Sequence, residues 1–376
     1  MTLNEKESKV FTYIKKDPFI SQQALADKIG LSRPAVANII SGLVKRGYLL
    51  GKAYVVNETR PIVCIGAAAT DRRFFVDGEL VHRASKNVTS RTTCGGVALS
   101  ISENLGRLQE DVVLLSVVGD DIEAEAIKDY MGSFVKINEI DTVSGATTGA
   151  YTEVVDEDGE VALALSEMDI YDKMSPNWLS KRLSLLKQAK AIIIDNNVPK
   201  NTTEAIMDFA FKNKTPVSLV TVSALKAHNI PDDLKGVNLF VTSREEAELL
   251  LEMTIATDEQ AVEAIQRYLE MGAEHVIISD RSRSIDYGSH KHGLVRFDLQ
   301  NKDSQHYVWG THEALIAGII YRYLHTKNLV DVMMTGIVNA AMTAKSVNKV
   351  REDLTQATLE KDIKAFGDIE FKKLEI

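Results

Sequence analysis

Ile62-Val63-Cys64-Ile65-Gly66 is a short apolar run closed by a glycine, and its recurrence along the chain decides the fold. Four or five apolar residues bounded by a turn residue read as a strand buried on both faces. Similar runs stand at 112–115, 191–194, 217–220, 239–241 and 275–278. Helical patterns fall between most of them, at 97–108, 122–131, 176–187, 201–212, 244–251 and 258–271. Strands alternating with helices predict an α/β domain: a doubly wound, mostly parallel sheet covered on both faces. Ligands of such sheets sit at the C-terminal ends of the strands.

Two segments break the alternation. Phe74-Phe75-Val76 with Leu80-Val81-His82, turning at Asp77-Gly78-Glu79, is expected to be a strand pair. So is 150–155 with 161–164, turning at Asp156-Glu157-Asp158-Gly159. The body is expected to span 61–350, with a boundary near Glu58-Thr59-Arg60-Pro61 and a C-terminal segment at 351–376 packed on it or trailing from it.

The 376 residues are 45% hydrophobic and 26% charged, ordinary for a globular chain with a sizeable core. No apolar run approaches the ~18 residues that span a bilayer. Met1 to Lys6 has no apolar signal core. Cys64 and Cys94 are the only cysteines, which excludes a disulfide framework and a thiolate metal site and fits a cytoplasmic protein. No structural metal is expected; His290-Lys291-His292 reads as an exposed hairpin. The net charge of −9 divides into +5 over residues 1–60 and −14 over the rest. A basic head on an acidic body suggests that only the head meets a polyanion.

In the head, Val10, Phe11 and Ile14 have helical spacing. Ser21 is a plausible N-cap for a helix through Leu25, Ala26 and Ile29, and Ser32 for another from Ala35 to Arg46, with Pro34 in its first turn. Gly47 ends that helix. Tyr48-Leu49-Leu50 and Ala53-Tyr54-Val55-Val56 read as two short strands around Gly51-Lys52. The string from Ser21 to Leu49 resembles a winged helix-turn-helix DNA-binding domain, a small α+β unit over residues 1–58. The resemblance puts Ser32, Arg33, Ala35 and Asn38 at base edges, and Lys45, Arg46 and Lys52 near phosphates. The alternative is a small helical module that binds protein, with those charges solvated.

Over residues 61–350 the chain resembles the ribokinase-like (PfkB) sugar and nucleoside kinases. Gly66-Ala67-Ala68-Ala69-Thr70-Asp71 is similar to that family's opening strand and turn. Cys94-Gly95-Gly96-Val97-Ala98-Leu99-Ser100 resembles its G-G-x-A-x-N stretch, and Val118-Gly119-Asp120-Asp121 its G-D-D turn. Tyr307-Val308-Trp309-Gly310-Thr311-His312-Glu313-Ala314 stands where the family reads close to D-T-x-G-A-G-D-A. Val155–Gly159, Met168–Tyr171 and Ile194–Asn197 resemble pseudouridine kinases in particular. The resemblance implies a small β lid over the substrate, which often dimerises. It implies a substrate site at Asp71, Gly95, Gly96, Ser100 and Asn197, with Ser100 in place of an asparagine that binds ribose. It also implies an anion hole at Gly310, Thr311 and His312, and a catalytic base at Glu313. ATP and Mg²⁺ would lie against Glu246, Ser279, Arg281 and Asn339.

The nucleotide half departs from the pattern. N-x-x-E becomes Ser243-Arg244-Glu245-Glu246. The glycines of S/T-x-G-x-x-G become Arg281 and Ser284, and G-A-G-D becomes Gly310-Thr311-His312-Glu313. Glu313 is one methylene longer than Asp, and a displacement of about 1 Å at reacting groups can cost on the order of 10²-fold. Loss of one oxyanion donor costs ~10²–10³ in rate. The reading favoured by these residues is a DNA-binding transcription regulator whose kinase-like domain binds a nucleoside, sugar or phosphorylated metabolite, needing no cofactor, as a homodimer. The alternative is a working kinase that uses ATP and Mg²⁺ to phosphorylate a ribosyl hydroxyl.

Overall fold

The computed structural model describes residues 3–50, 60–81, 84–280, 283–299 and 309–374. The head holds α1 (Glu5–Lys16), α2 (Gln22–Ile29) and α3 (Arg33–Lys45). Asn4 and Glu7 form a capping box on α1, while Ser21 and Ser32 accept from Ala24 N and Ala35 N to cap α2 and α3. Val10, Ile14, Leu25, Val36, Ile40 and Leu43 form a small core of their own, so the head's apolar stripes are satisfied without the body. The expected strand at 53–56 and Lys52 lie outside the described residues. Where the head meets the body, Gly47 lies against the backbone of Lys187 and Gln188. Arg60 donates to Gln188 O and Ala189 O and covers the Tyr48 ring.

The body begins with β1 (Ile62–Ile65), β2 (Ala69–Val76), β3 (Val88–Gly95), α4 (Val97–Arg107), β4 (Val112–Val118), α5 (Ile122–Met131), β5 (Ile140–Thr142), β6 (Ala150–Val155) and β7 (Val161–Glu167). It continues with α6 (Pro176–Ser180), α7 (Leu183–Gln188), β8 (Ala191–Asp195), α8 (Lys200–Asn213), β9 (Val217–Val220), β10 (Leu239–Ser243), α9 (Arg244–Leu251), α10 (Asp258–Glu270) and β11 (His275–Asp280). β12 (Ser284–Ser289), β13 (Gly293–Asp298), α11 (Thr311–His325), α12 (Leu329–Thr343), α13 (Gln356–Phe366) and β14 (Phe371–Leu374) complete it.

Ten strands form the main sheet in the order β14-β13-β12-β11-β10-β9-β8-β1-β4-β5. Pairing is parallel from β5 to β11 and antiparallel from β11 to β14. Side chains alternate across the pleat. Ile62, Cys64 and Leu114 enter the core under α4, α11 and α12, and Val63, Ile65 and Leu115 enter the core on the α6–α10 side. Burial on both faces explains why these strands read as unbroken apolar runs.

Three expectations need correction. The helix expected at 176–187 is two helices; the break falls at Arg182, whose buried guanidinium donates to Trp178 O and pairs with Asp141. Leu80 and Val81 are not a strand but exposed loop residues. The partner of β2 is β3, reached by a loop that Asp77 N closes on Asn87 O. β3 is largely polar and exposed, so it gives no apolar alternation to detect. β2 also pairs in parallel with β6, which makes one four-stranded lid sheet, β3-β2-β6-β7, instead of two separate hairpins. The C-terminal segment, expected to pack on the body or trail from it, supplies β14 to the sheet edge.

Candidate ligand site

At the C-terminal end of β8, the buried Asp195 carboxylate accepts from the backbone N–H groups of Ala67 and Ala98, each at 2.9 Å, and from Asn197. Burial raises its carboxyl above the ordinary value, against the pull of those N–H bonds. Asp195 thus ties the turn after β1 to the first turn of α4. Asn197, expected to touch substrate, is itself buried behind this junction and supports Asp195.

The tie positions Asp71. Its carboxylate packs so closely on Gly95 that a Cβ there would lie 2.1 Å from Asp71 Cγ, which is why the strand ends in glycine. On the other side stands Glu313, buried in the first turn of α11. Gly310 leads into that helix with φ +85°, and a Cβ on it would lie 1.9 Å from Lys349 O. The two carboxylates expected to hold and deprotonate a substrate hydroxyl therefore face one space.

Lys349 occupies that space. Its Nζ lies 2.9 Å from Asp71 Oδ2 and 3.2 Å from Glu313 Oε1, and the side chain is only 10% exposed. Burial works against the charged ammonium, but Asp71 and Glu313 carry it well above its ordinary value. Burial alone would raise Glu313; Lys349 and His312 outweigh it and hold the carboxyl low. Asp71 is raised, by burial first and by the Glu313 and Glu153 carboxylates as well, despite Lys349. Two carboxylates share one cation, and the shorter contact is the one to Asp71.

Beside this cluster, under the lid, is a cavity of about 160 Å³ lined by Arg73, Phe75, Arg91, Trp309, Val347 and Asn348. Arg73 pairs with Glu153 and lies 4.9 Å over the Trp309 ring. Ser100 Oγ, standing where the resemblance implies a longer amide, is buried and makes no hydrogen bond among the described residues.

The nucleotide side is crossed by side-chain contacts. His312 Nδ1 lies 3.4 Å from Ser279 Oγ, linking the start of α11 to the end of β11. Arg244 pairs with Asp280 at 2.9 Å. Glu246 completes a capping box with Ser243 on α9 and also accepts from Thr221 Oγ1. Thr311 opens α11 beside these groups, while Arg281 lies outside the described residues. Asn339 does not face this region: it is fully buried, and its amide donates to Asn104 Oδ1 and Ala314 O between α4, α11 and α12. The His312 imidazole and the Arg244–Asp280 pair thus stand where the resemblance implies nucleotide phosphates, a setting unlike a cradle of backbone N–H groups.

On the head, Arg33, Asn38 and Lys45 are exposed and Ala35 is half-buried on the outer side of α3. Ser32 spends its oxygen on the helix cap. Arg46, expected near phosphate, is instead turned back, paired with Glu7 at 2.7 Å, donating to Gly42 O and lying over Tyr48. His290 and His292 are exposed around the β12–β13 turn, as the hairpin reading expected.

Lys349, Trp309, Arg73 and Glu153 were missed in the sequence. Ser346-Val347-Asn348-Lys349-Val350-Arg351 reads as a charged loop, and nothing local signals a partner 278 positions away.

A ribokinase-like α/β sheet, a β lid and a carboxylate at the head of α11 define the class. The chain belongs to the pfkB family of carbohydrate kinases, whose family model matches residues 59–353. Residues 3–49 match the winged helix-turn-helix DNA-binding family. The chain is 26% identical over 345 residues to the uncharacterized sugar kinase YeiI of Escherichia coli, covering 92% of this chain and 94% of that one. It is 26% identical over 265 residues to the pseudouridine kinase of the same organism, covering 70% and 84%. Among solved structures, Arabidopsis thaliana ribokinase complexed with ribose and ATP superposes with a TM-score of 0.71 at 14% identity, over 81% of this chain and 99% of that one. A putative sugar kinase from Clostridium perfringens gives 0.70 at 20% identity, over 84% and 98%. Among the described residues no helix is long and apolar enough to cross a membrane.

Proposed function

We propose that this chain is a DNA-binding transcription regulator whose kinase-fold domain senses a ribosyl compound or its phosphate, with phosphoryl transfer weak or lost. The observation that carries the reading is Lys349. A general base needs a free lone pair and enough basicity to take a proton, and the ammonium 3.2 Å from Glu313 occupies its oxygen and lowers its basicity. That ammonium also engages Asp71, the group expected to bind substrate hydroxyls. The altered nucleotide side agrees: His312 reaches Ser279, and Arg244 pairs with Asp280.

A neutral ribosyl ligand would compete with Lys349 for Asp71, and a phosphorylated one would take Lys349 as its counter-charge. Either exchange moves the loop that carries Lys349 relative to the lid. The lid exposes Val161, Leu163 and Leu165 on β7, which suits a homodimer formed there. Paired heads would then read half-sites about one helical turn (~34 Å) apart.

The test is DNA binding by the full chain over a randomised duplex pool at low salt, with and without pseudouridine, ribose and ribose 5-phosphate. A selected palindrome whose affinity shifts with one of these compounds supports the regulator. No selected sequence at any salt concentration contradicts it. The working-kinase reading rests on membership of the pfkB family, whose members generally use ATP and Mg²⁺. It requires Lys349 to leave Glu313 when substrate binds.

A further inference from the structure

The sheet holds a second cavity at its opposite edge. It lies at the N-terminal ends of β8 to β11, whereas Asp195 and Ser279 mark the C-terminal ends near the first site. Its volume is about 60 Å³, on the order of four times what one water requires. Ala191, Ser218 and Ile277 line it from the sheet, and Ile320, Leu324 and Val332 from the far end of α11 and the start of α12. Ile320 is seven residues along α11 from Glu313, about 10 Å at the helical rise.

Three rings form one wall. His275 stacks on Tyr287 with centroids 5.9 Å apart and meets Tyr323 edge-on at 5.8 Å. His275 Nδ1 hydrogen-bonds with Tyr287 Oη at 2.7 Å, and burial holds the imidazole below its ordinary pKa, so it is neutral near pH 7. Lys327 stands at the rim, its ammonium 3.5 Å from the Tyr323 ring centroid and donating to Tyr323 O. Among the described residues it pairs with no carboxylate, and burial and the neighbouring Lys291 both press on its charge. Glu274, the carboxylate nearest His275 and Tyr323, is taken up by Asn238 Nδ2 at 2.7 Å.

We propose that this cavity is a second ligand site, for a small carboxylate with a branched aliphatic body. The apolar part fits between Ile277, Ile320 and the three rings, where its burial drives binding. The carboxylate meets Lys327, an ammonium with no carboxylate partner among the described residues, and a charge-assisted contact there orients the ligand. The site is also joined to the head. Ala191 follows Lys190, whose backbone N–H donates to Pro61 O, and Arg60 grips Gln188 O and Ala189 O. A ligand resting on Ala191 bears on the segment that seats the head, and this last link rests on the regulator reading.

The test is a calorimetric titration of the full chain with isobutyrate, with neutral isobutyramide as control. Saturable binding of the acid is expected, with the amide about tenfold weaker. Lys327→Gln, at the rim, is expected to weaken the acid about tenfold and leave the amide unchanged. Leu324→Trp, which fills the cavity, is expected to remove both. Saturating pseudouridine is expected to leave the titration unchanged. No saturable binding of isobutyrate, binding that ignores Lys327→Gln, or displacement by pseudouridine would overturn the second site. DNA affinity in the presence of isobutyrate is read separately: binding without any change in it overturns the link to the head and leaves the ligand site standing.

Discussion

Lys349 Nζ lies 2.9 Å from Asp71 Oδ2, although the two residues are 278 positions apart in the chain. The end of the domain thus closes over its beginning through one ion pair, in the space where the resemblance places a substrate hydroxyl. The same ammonium reaches Glu313, so one residue decides the state of both carboxylates.

Replacing Lys349 by Met is expected to cost about 3–5 kcal/mol at pH 7.5, because it strands two buried carboxylates. The pH dependence has a definite sign. In the native protein Glu313 has a lowered pKa, so its contribution to stability is present above the unfolded value of 4.5 and is lost as pH falls through the folded value. Without Lys349, burial raises Glu313 instead, and stability falls as pH rises. The gap between Lys349→Met and wild type in urea unfolding should therefore narrow from pH 7.5 to pH 5; a constant gap would contradict the ion-pair account.

Asp195→Ala removes the acceptor of three backbone N–H groups, at Ala67, Ala98 and Asn197. Each buried donor left unpaired costs about 1–3 kcal/mol, so a loss of at least about 3 kcal/mol in urea unfolding is expected. A loss under 1 kcal/mol would mean that water replaces the carboxylate and that the junction is not tied as described.

On the head, Arg33→Ala and Asn38→Ala are each expected to weaken binding to a selected operator by about 1–3 kcal/mol and to relax specificity at one base pair. Lys45→Ala should lower the salt slope by about one. Arg46→Ala should leave that slope unchanged, because Arg46 is already paired with Glu7. Fluorescence anisotropy over a salt series separates these outcomes, and an equal slope change for Lys45 and Arg46 would contradict the head's geometry.

His275 is held below its ordinary pKa of 6.5 by burial, with its neutral ring bonded to Tyr287. Below 6.5 the unfolded chain binds this proton more readily than the folded one. The contribution is fully present above 6.5 and is lost as pH falls toward the folded value. His275→Gln should flatten the stability profile between pH 7 and pH 5 in thermal unfolding, and an unaltered slope would show that the ring titrates freely.

The parallel sheet was legible because strands buried on both faces write themselves as apolar runs, as at Ile62–Ile65. The lid was half legible: β6 and β7 carry a turn signal at 156–159, whereas β3 is a polar strand whose partner is fixed by the register with β2. Asp71 and Glu313 were singled out through motifs, because backbone needs at Gly95 and Gly310 preserve the frame around them. Lys349 was not legible, since its meaning lies wholly in long-range contacts. Arg46 and Asn339 were misplaced for the same reason: their partners, Glu7 and Asn104, belong to other helices. The lost glycines at 281, 284 and 312 were legible in the sequence, but the His312–Ser279 contact was not.

The central claim is that the kinase-fold site holds a ribosyl ligand without using a nucleotide. Calorimetric titration of ATP–Mg²⁺ into the full chain, with pseudouridine and ribose absent and then present, tests it most directly. The account predicts no ATP heat in either case, and binding heat from a nucleoside or sugar alone. Micromolar ATP binding that tightens when the nucleoside is present would contradict it and return Glu313 to the role of a working base.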